Sequence, residues 1–150
     1  MKVVIQRVSL SSVTCGEHYE ETAKGLCILV GVEKNDETKD AEYLARKCAN
    51  MRIFSDDEGK LNLSVKDVGG EILLVSQFTL LADTAKGNRP SFTNAAAFEQ
   101  GRELYEYMGK LLEKEGIPVK YGVYGGDMSV EIINDGPVTI IMDTRENKKE

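Results

Sequence analysis

The run Leu26-Cys27-Ile28-Leu29-Val30-Gly31-Val32 constrains the fold more than any other part of the chain. Successive residues of a strand point to opposite faces, so a run that is apolar at every position reads as a central strand buried on both sides. The Lys24-Gly25 turn leads into it. A second central strand, Glu71-Ile72-Leu73-Leu74-Val75-Ser76-Gln77-Phe78, follows Gly69-Gly70. Ahead of both, Val3, Ile5 and Arg7 alternate with Val4, Gln6 and Val8 as a first strand, and Cys15-Gly16-Glu17 turns the chain into a short strand from Tyr19 to Ala23.

Helical periodicity is confined to two places. Ala41, Leu44, Ala45 and Cys48 fall at i, i+3, i+4 and i+7, which predicts a helix over about Thr38 to Asn50 with Asp36 or Thr38 as N-cap. A second helix is expected over about Asn94 to Glu115, with Phe98, Tyr105, Met108 and Leu112 as its buried stripe and Gly116 and Pro118 ending it. Between them, Arg52-Ile53-Phe54 and Leu61-Asn62-Leu63 flank a polar hairpin tip, and Ala82 to Ser91 form a polar loop. Strands are expected at about Val119–Tyr124, Met128–Ile133 and Val138–Met142, and the charged tail Arg145 to Glu150 reads as frayed. Strands dominate and the helices stand apart, so the expected class is α+β: a mostly antiparallel, barrel-like sheet with two main helices, in one domain over residues 1–150.

A chain of this length buries roughly two-thirds of its unfolded surface, enough for a core without staples. No apolar run approaches the ~20 residues that cross a bilayer, and the N-terminus lacks the marks of a signal peptide, so neither membrane nor export is expected. Cys15, Cys27 and Cys48 are widely spaced and odd in number, which reads as reduced thiols in the cytoplasm. The net charge of −6 argues against a protein that grips a duplex by its phosphates, though not against one that holds a single-stranded end.

The familiar catalytic parts are missing. His18 is the only histidine and falls at a predicted turn, where it reads as exposed; no metal site and no cofactor are expected. Gly122-Val123-Tyr124-Gly125-Gly126 lacks the Lys-Ser/Thr of a phosphate loop, and Asp56-Asp57-Glu58 is a solvated tip rather than a calcium loop. An enzyme built from these residues would work with main-chain groups, hydroxyls and the substrate itself. That suits hydrolysis of an already reactive ester. A thiol-dependent hydrolase using Cys15 or Cys27 is an alternative, as is a non-catalytic dimer that binds a small ligand or a nucleotide end.

Two segments carry the strongest signal: Ser76-Gln77-Phe78-Thr79-Leu80 at the end of a central strand, and Asn134-Asp135-Gly136-Pro137-Val138-Thr139 between two apolar runs. Together with Met1-Lys2-Val3-Val4-Ile5-Gln6-Arg7-Val8, Lys86-Gly87-Asn88-Arg89-Pro90-Ser91-Phe92 and Tyr124-Gly125-Gly126-Asp127-Met128, they resemble the D-aminoacyl-tRNA deacylases over nearly the whole chain. The family more often has Phe at the place of Tyr124 and Ala at that of Gly126, departures expected to alter packing near the pocket and not the reaction.

The resemblance implies a cytoplasmic homodimer that hydrolyses D-aminoacyl-tRNA, and glycine mischarged onto alanine tRNA, at the tRNA 3′ end. It implies a cis Gly136-Pro137 bond that projects into the partner subunit's pocket and excludes L-residues. Ser76, Gln77, Phe78 and Thr79 become the catalytic segment. Arg7, Lys86, Arg89, Met128, Asn134, Gly136 and Pro137 become substrate-binding. Thr79 as nucleophile competes with an RNA-assisted route, Phe78 suits core packing as well as it suits flanking the terminal adenine, and Lys86 and Arg89 could equally form a plain solvated loop.

Overall fold

A computed structural model describes residues 1–147. Its centre is one sheet whose longest members are β1 (Lys2–Cys15) and β8 (Ser129–Asp143), paired antiparallel along almost their whole length. On its other edge β1 meets β3 (Gly25–Gly31) with its first half and β2 (His18–Thr22) with its second, both antiparallel. Beyond β3 lie β6 (Glu71–Ser76) and then β7 (Val119–Tyr121), and both of these pairings are parallel. The sheet is therefore mixed: its longest pairings are antiparallel, as expected, and the two beyond β3 are parallel. The reason is connectivity: helix α1 (Thr38–Asn50) lies between β3 and β6, and helix α2 (Phe98–Lys114) between β6 and β7, and a helical crossover is what lets successive strands run the same way. The far end curls back. Lys120 Nζ donates to the Glu21 carbonyl at 3.0 Å, and the His18 ring nitrogen Nε2 meets the Tyr121 carbonyl at 2.8 Å, so β7 approaches β2 and the sheet is nearly closed.

This curl explains the doubly apolar central strands. Leu26, Ile28, Val30, Ile72 and Leu74 face α1 and α2 in the main core, while Cys27, Leu73 and Val75 face the inside of the curl with Val8 and Val13. Burial desolvates the Cys27 and Cys48 thiols and pushes each up to about 12.

Several local expectations shift. The first helix has its expected bounds, but Glu37 is the N-cap, in a reciprocal capping box with Asp40. Asp36 is instead drawn inward: its carboxylate lies 2.7 Å from the α-ammonium of Met1, with the two groups 3% and 0% exposed. The second helix starts at Phe98 rather than near Asn94, and Phe98 is exposed while Leu104 takes a place in the buried stripe. The strand expected to reach Phe78 stops at Ser76. The strand expected over Val119–Tyr124 stops at Tyr121, and the last two expected strands are one, β8. Strands β4 (Phe54–Ser55) and β5 (Leu61–Leu63) form the expected hairpin. His18 opens β2, half-buried and bonded, rather than standing exposed in a turn. Thr144–Asn147 form a short helix, α3, where a frayed tail was expected; the rest of that tail, residues 148–150, lies outside the described residues. No helix among the described residues is long and apolar enough to cross a membrane.

Candidate active site

Where β6 ends, the chain leaves the sheet and folds into a 3₁₀ turn, Phe78–Leu81. Gln77 N–H makes the last rung, to the Val30 carbonyl at 2.7 Å. The turn can close over β3 because residue 31 is glycine: a Cβ there would sit 3.1 Å from the Gln77 carbonyl and from the Leu80 Cβ, and closer still to Leu81. The first N–H groups of such a turn have no partner within it, so the Phe78 and Thr79 amides open the segment as donors. The Gln77 amide nitrogen donates to the Thr79 hydroxyl. An amide is no base, so this contact orients the Thr79 oxygen without activating it.

Phe78 is not a core residue. It is 54% exposed and meets Phe92 edge-on, ring centroids 5.3 Å apart. Phe92 follows the loop that carries Lys86 and Arg89, and a pair of hydrogen bonds between Asp83 and Ser91, 2.7 and 2.9 Å, ties that loop's ends. Both cations are exposed near its tip.

Opposite Ser76–Phe78 runs the segment Tyr124–Met128. The two segments line a cleft of about 500 Å³ together with Val30, Val75, Val130, Ala95, Ala96 and Phe98. Its size and mixed lining suit a small organic group with a few polar anchors. Of the four residues expected to be catalytic, Ser76, Gln77 and Phe78 line it and Thr79 does not. Met128 lines it as expected. Phe98, Gly125 and Asp127 line it as well and were missed: the Tyr124–Met128 motif was the signal for the last two, yet only Met128 was taken from it, and Phe98 was assigned to the buried stripe of the second helix.

The remaining expected site residues assemble elsewhere. In the β1–β8 ladder Gln6 pairs with Thr139 and Val8 with Asn134, so Asp135 to Val138 bulge out opposite Arg7 alone. The wedge that reads as a break in the sequence is an excursion within one strand. The Gly136-Pro137 peptide bond is cis, and Gly136 has φ +127°, a backbone region that side chains disfavour. Arg7 holds this excursion: Nε donates to the Asp135 carbonyl at 3.0 Å, and Nη1 to the Ile53 carbonyl at 2.8 Å. Asn134, Gly136 and Pro137 are exposed and none of them lines the chain's own cleft.

No group of three or more His, Cys, Asp or Glu side chains gathers into a metal-binding cluster among the described residues. Cys27, deeply buried with its thiol pushed up to about 12, cannot supply a thiolate near neutral pH.

The sequence model of the D-Tyr-tRNA(Tyr) deacylase family matches residues 4–143. The chain belongs to this family. Its activity is D-aminoacyl-tRNA deacylation, the hydrolysis of a carboxylic ester in translation proofreading. A D-aminoacyl-tRNA deacylase of Staphylococcus carnosus (strain TM300) is 53% identical over 148 residues, 99% of each chain. A solved structure of a c-Myc DNA unwinding element binding protein is 41% identical with a TM-score of 0.87, covering 95% of this chain and 98% of that one. A solved probable eukaryotic D-amino acid tRNA deacylase is 14% identical with a TM-score of 0.81, covering 94% and 97%, and shares the fold. With the activity shown by the family, the non-catalytic alternative falls away.

Proposed function

We propose that the cleft between Ser76–Phe78 and Tyr124–Met128 takes the aminoacylated 3′ end of tRNA, and that the Gly136-Pro137 excursion of a second copy completes it. The observation that carries this reading is the misplacement of the excursion. Arg7, braced on the Ile53 carbonyl, holds it at Asp135, and the proline ring stiffens it, yet it stands exposed and away from its own cleft. Beside it on β8, Ile133 and Ile141 are exposed apolar residues, which suits the approach of another copy.

In this homodimer the main chain of Gly136-Pro137 occupies the direction that an L-side chain would take, so selection does not depend on what the side chain is. D-residues fit, and glycine passes, which accounts for clearance of glycine mischarged onto alanine tRNA. Water attacks the ester carbonyl, the backbone amides at Phe78 and Thr79 stabilise the developing oxyanion, and the ribose oxygen leaves with a proton. The neighbouring ribose 2′-OH orients the water, because Thr79 has an amide and not a base beside it. Phe78 flanks the terminal adenine, Met128 and Asn134 complete the substrate surface, and Lys86 and Arg89 hold phosphates of the single-stranded end. No cofactor enters this scheme, and the protein works in the cytoplasm.

The test is subunit complementation. Gly136→Ala introduces a Cβ 3.0 Å from Arg7 Nη2 and Val138 Cγ2 in a positive-φ position, so each such subunit carries a damaged selector. Mixed with subunits damaged at Gln77 and Phe78, it should regain release of D-amino acid from tRNA, in heterodimers with one intact site, while L-aminoacyl-tRNA stays untouched. Heterodimers that form and recover no activity would refute the cross-subunit site.

A further inference from the structure

Helix α2 carries two glycines on its buried side, Gly101 and Gly109, where alanine would favour the helix more. Each faces a tyrosine. A Cβ on Gly109 would lie 2.6 Å from the Tyr121 hydroxyl oxygen, and a Cβ on Gly101 would collide with the Tyr124 hydroxyl. The two tyrosines differ in what lies on their far side. Tyr121 does not line the cleft, whereas Tyr124 begins one of its walls. Around Tyr124 the helix forms a three-sided seat. Phe98 meets its ring edge-on at 5.0 Å, Tyr105 leans on it at 5.5 Å, and Gly101 leaves room for the hydroxyl between them. Tyr105 is itself fixed, its hydroxyl donating to the Leu74 carbonyl at 2.6 Å.

We propose that Gly101 is a positioning residue for the deacylase cleft: by lacking a side chain it seats the Tyr124 hydroxyl on α2 and so sets how far the Tyr124–Met128 wall stands from Ser76–Phe78. The far end of the wall is held by Met128, packed against the second core cluster, and by Gly126 against Cys15, while its Tyr124 end rests on α2. The wall lies outside the sheet ladder between β7 and β8, and a Cβ on Gly125 would lie 2.6 Å from the Phe98 ring, so this backbone rests directly on the same seat. A methyl group at 101 pushes the tyrosine, and with it the wall, toward the cleft. The chemistry is assigned to the opposite wall, so the effect falls on substrate binding and not on the chemical step. The inference rests on the reading of the cleft as the substrate site. Hydrolysis of D- over L-aminoacyl-tRNA by the parent tests that reading separately.

The experiment is steady-state and single-turnover kinetics on a D-aminoacyl-tRNA with four variants. Gly101→Ala should raise KM about tenfold with kcat changed less than about threefold. With Tyr124→Phe as its own reference, adding Gly101→Ala should raise KM by less than about twofold, because the clashing oxygen is gone. Gly109→Ala, an equally crowded site with no wall behind it, should lower the melting temperature and leave KM unchanged. The proposal is overturned if folded Gly101→Ala keeps the parent KM, if the rise is as large in the Tyr124→Phe background, or if Gly109→Ala raises KM as much. Should Gly101→Ala not fold, Tyr124→Leu empties the seat without adding bulk to the helix, and an unchanged KM in that variant overturns the proposal equally.

Discussion

Arg7 joins strand β1 to two backbone carbonyls far away in sequence, and its replacement is the most direct probe of how the Gly136-Pro137 excursion is held. Arg7→Met keeps most of the aliphatic stem and removes the guanidinium. One stranded acceptor is the carbonyl of Ile53, a buried residue, and an unpaired buried acceptor costs about 1–3 kcal/mol. The other is the carbonyl of Asp135, an exposed residue that water can serve, so that loss is small. The ion pair from Nε to the Asp135 carboxylate, 3.5 Å long and half exposed on the acid's side, adds about 0–1 kcal/mol. The sum is about 1–4 kcal/mol, or a fall in Tm of roughly 2–16 °C for a chain of this size. Arg7→Lys keeps the charge, but one ammonium cannot serve both carbonyls, so it should lose about half as much. Activity should fall further than stability. An excursion released from its anchor misplaces the selector, and a 1 Å displacement at a site costs on the order of 10²-fold. Thermal melts followed by kcat/KM on matched D- and L-aminoacyl-tRNA read both effects. If Arg7→Lys equals the parent in Tm and in D-over-L selectivity, the two-carbonyl anchor is not what positions the loop.

Thr79→Ala should keep measurable single-turnover deacylation, within about tenfold of the parent, since loss of a true nucleophile costs on the order of 10⁴-fold or more; a loss of that size with tRNA binding intact would identify Thr79 as the nucleophile. Lys86→Glu/Arg89→Glu should weaken tRNA binding and reduce the slope of log K against log salt by about 1.4, two single-strand phosphate contacts' worth; an unchanged slope in a filter-binding titration places the docking surface elsewhere. Iodoacetamide at pH 8 should label half-buried Cys15 well before Cys27 and Cys48, whose buried thiols stay protonated; mass spectrometry showing equal labelling of all three in the folded protein would contradict their burial. The same two thiols make stability fall with pH: unfolded they ionise from an ordinary value of 9.0, folded they hold their protons to about 12, so the folded state binds more protons between those limits and denaturant midpoints should drop across that window.

By itself the sequence determined what depends on near neighbours. The bounds of helix α1 were legible because its apolar period is a local signal, although its N-cap, Glu37, was not. The β4–β5 hairpin and the two doubly buried strands were legible for the same reason, since period and turn chemistry are local signals. The motif segments and the family could be recognised as well. Tertiary structure decided the partners. An apolar period reports that a face is buried but not against what, so the parallel pairing of β3 with β6 and of β6 with β7 could not be read from either strand alone. Phe98 fits the helical stripe by period, yet it stays exposed because a cleft and the Tyr124 ring lie on that side, leaving Leu104 to fill the core. The Gly136-Pro137 wedge reads as a break between two strands; pairing on both sides with β1 makes it one strand with an excursion, and Arg7, more than a hundred residues earlier, holds it there. Each of these outcomes rests on contacts between residues distant in sequence, whose free energy exceeds local preference only once the chain has closed on itself.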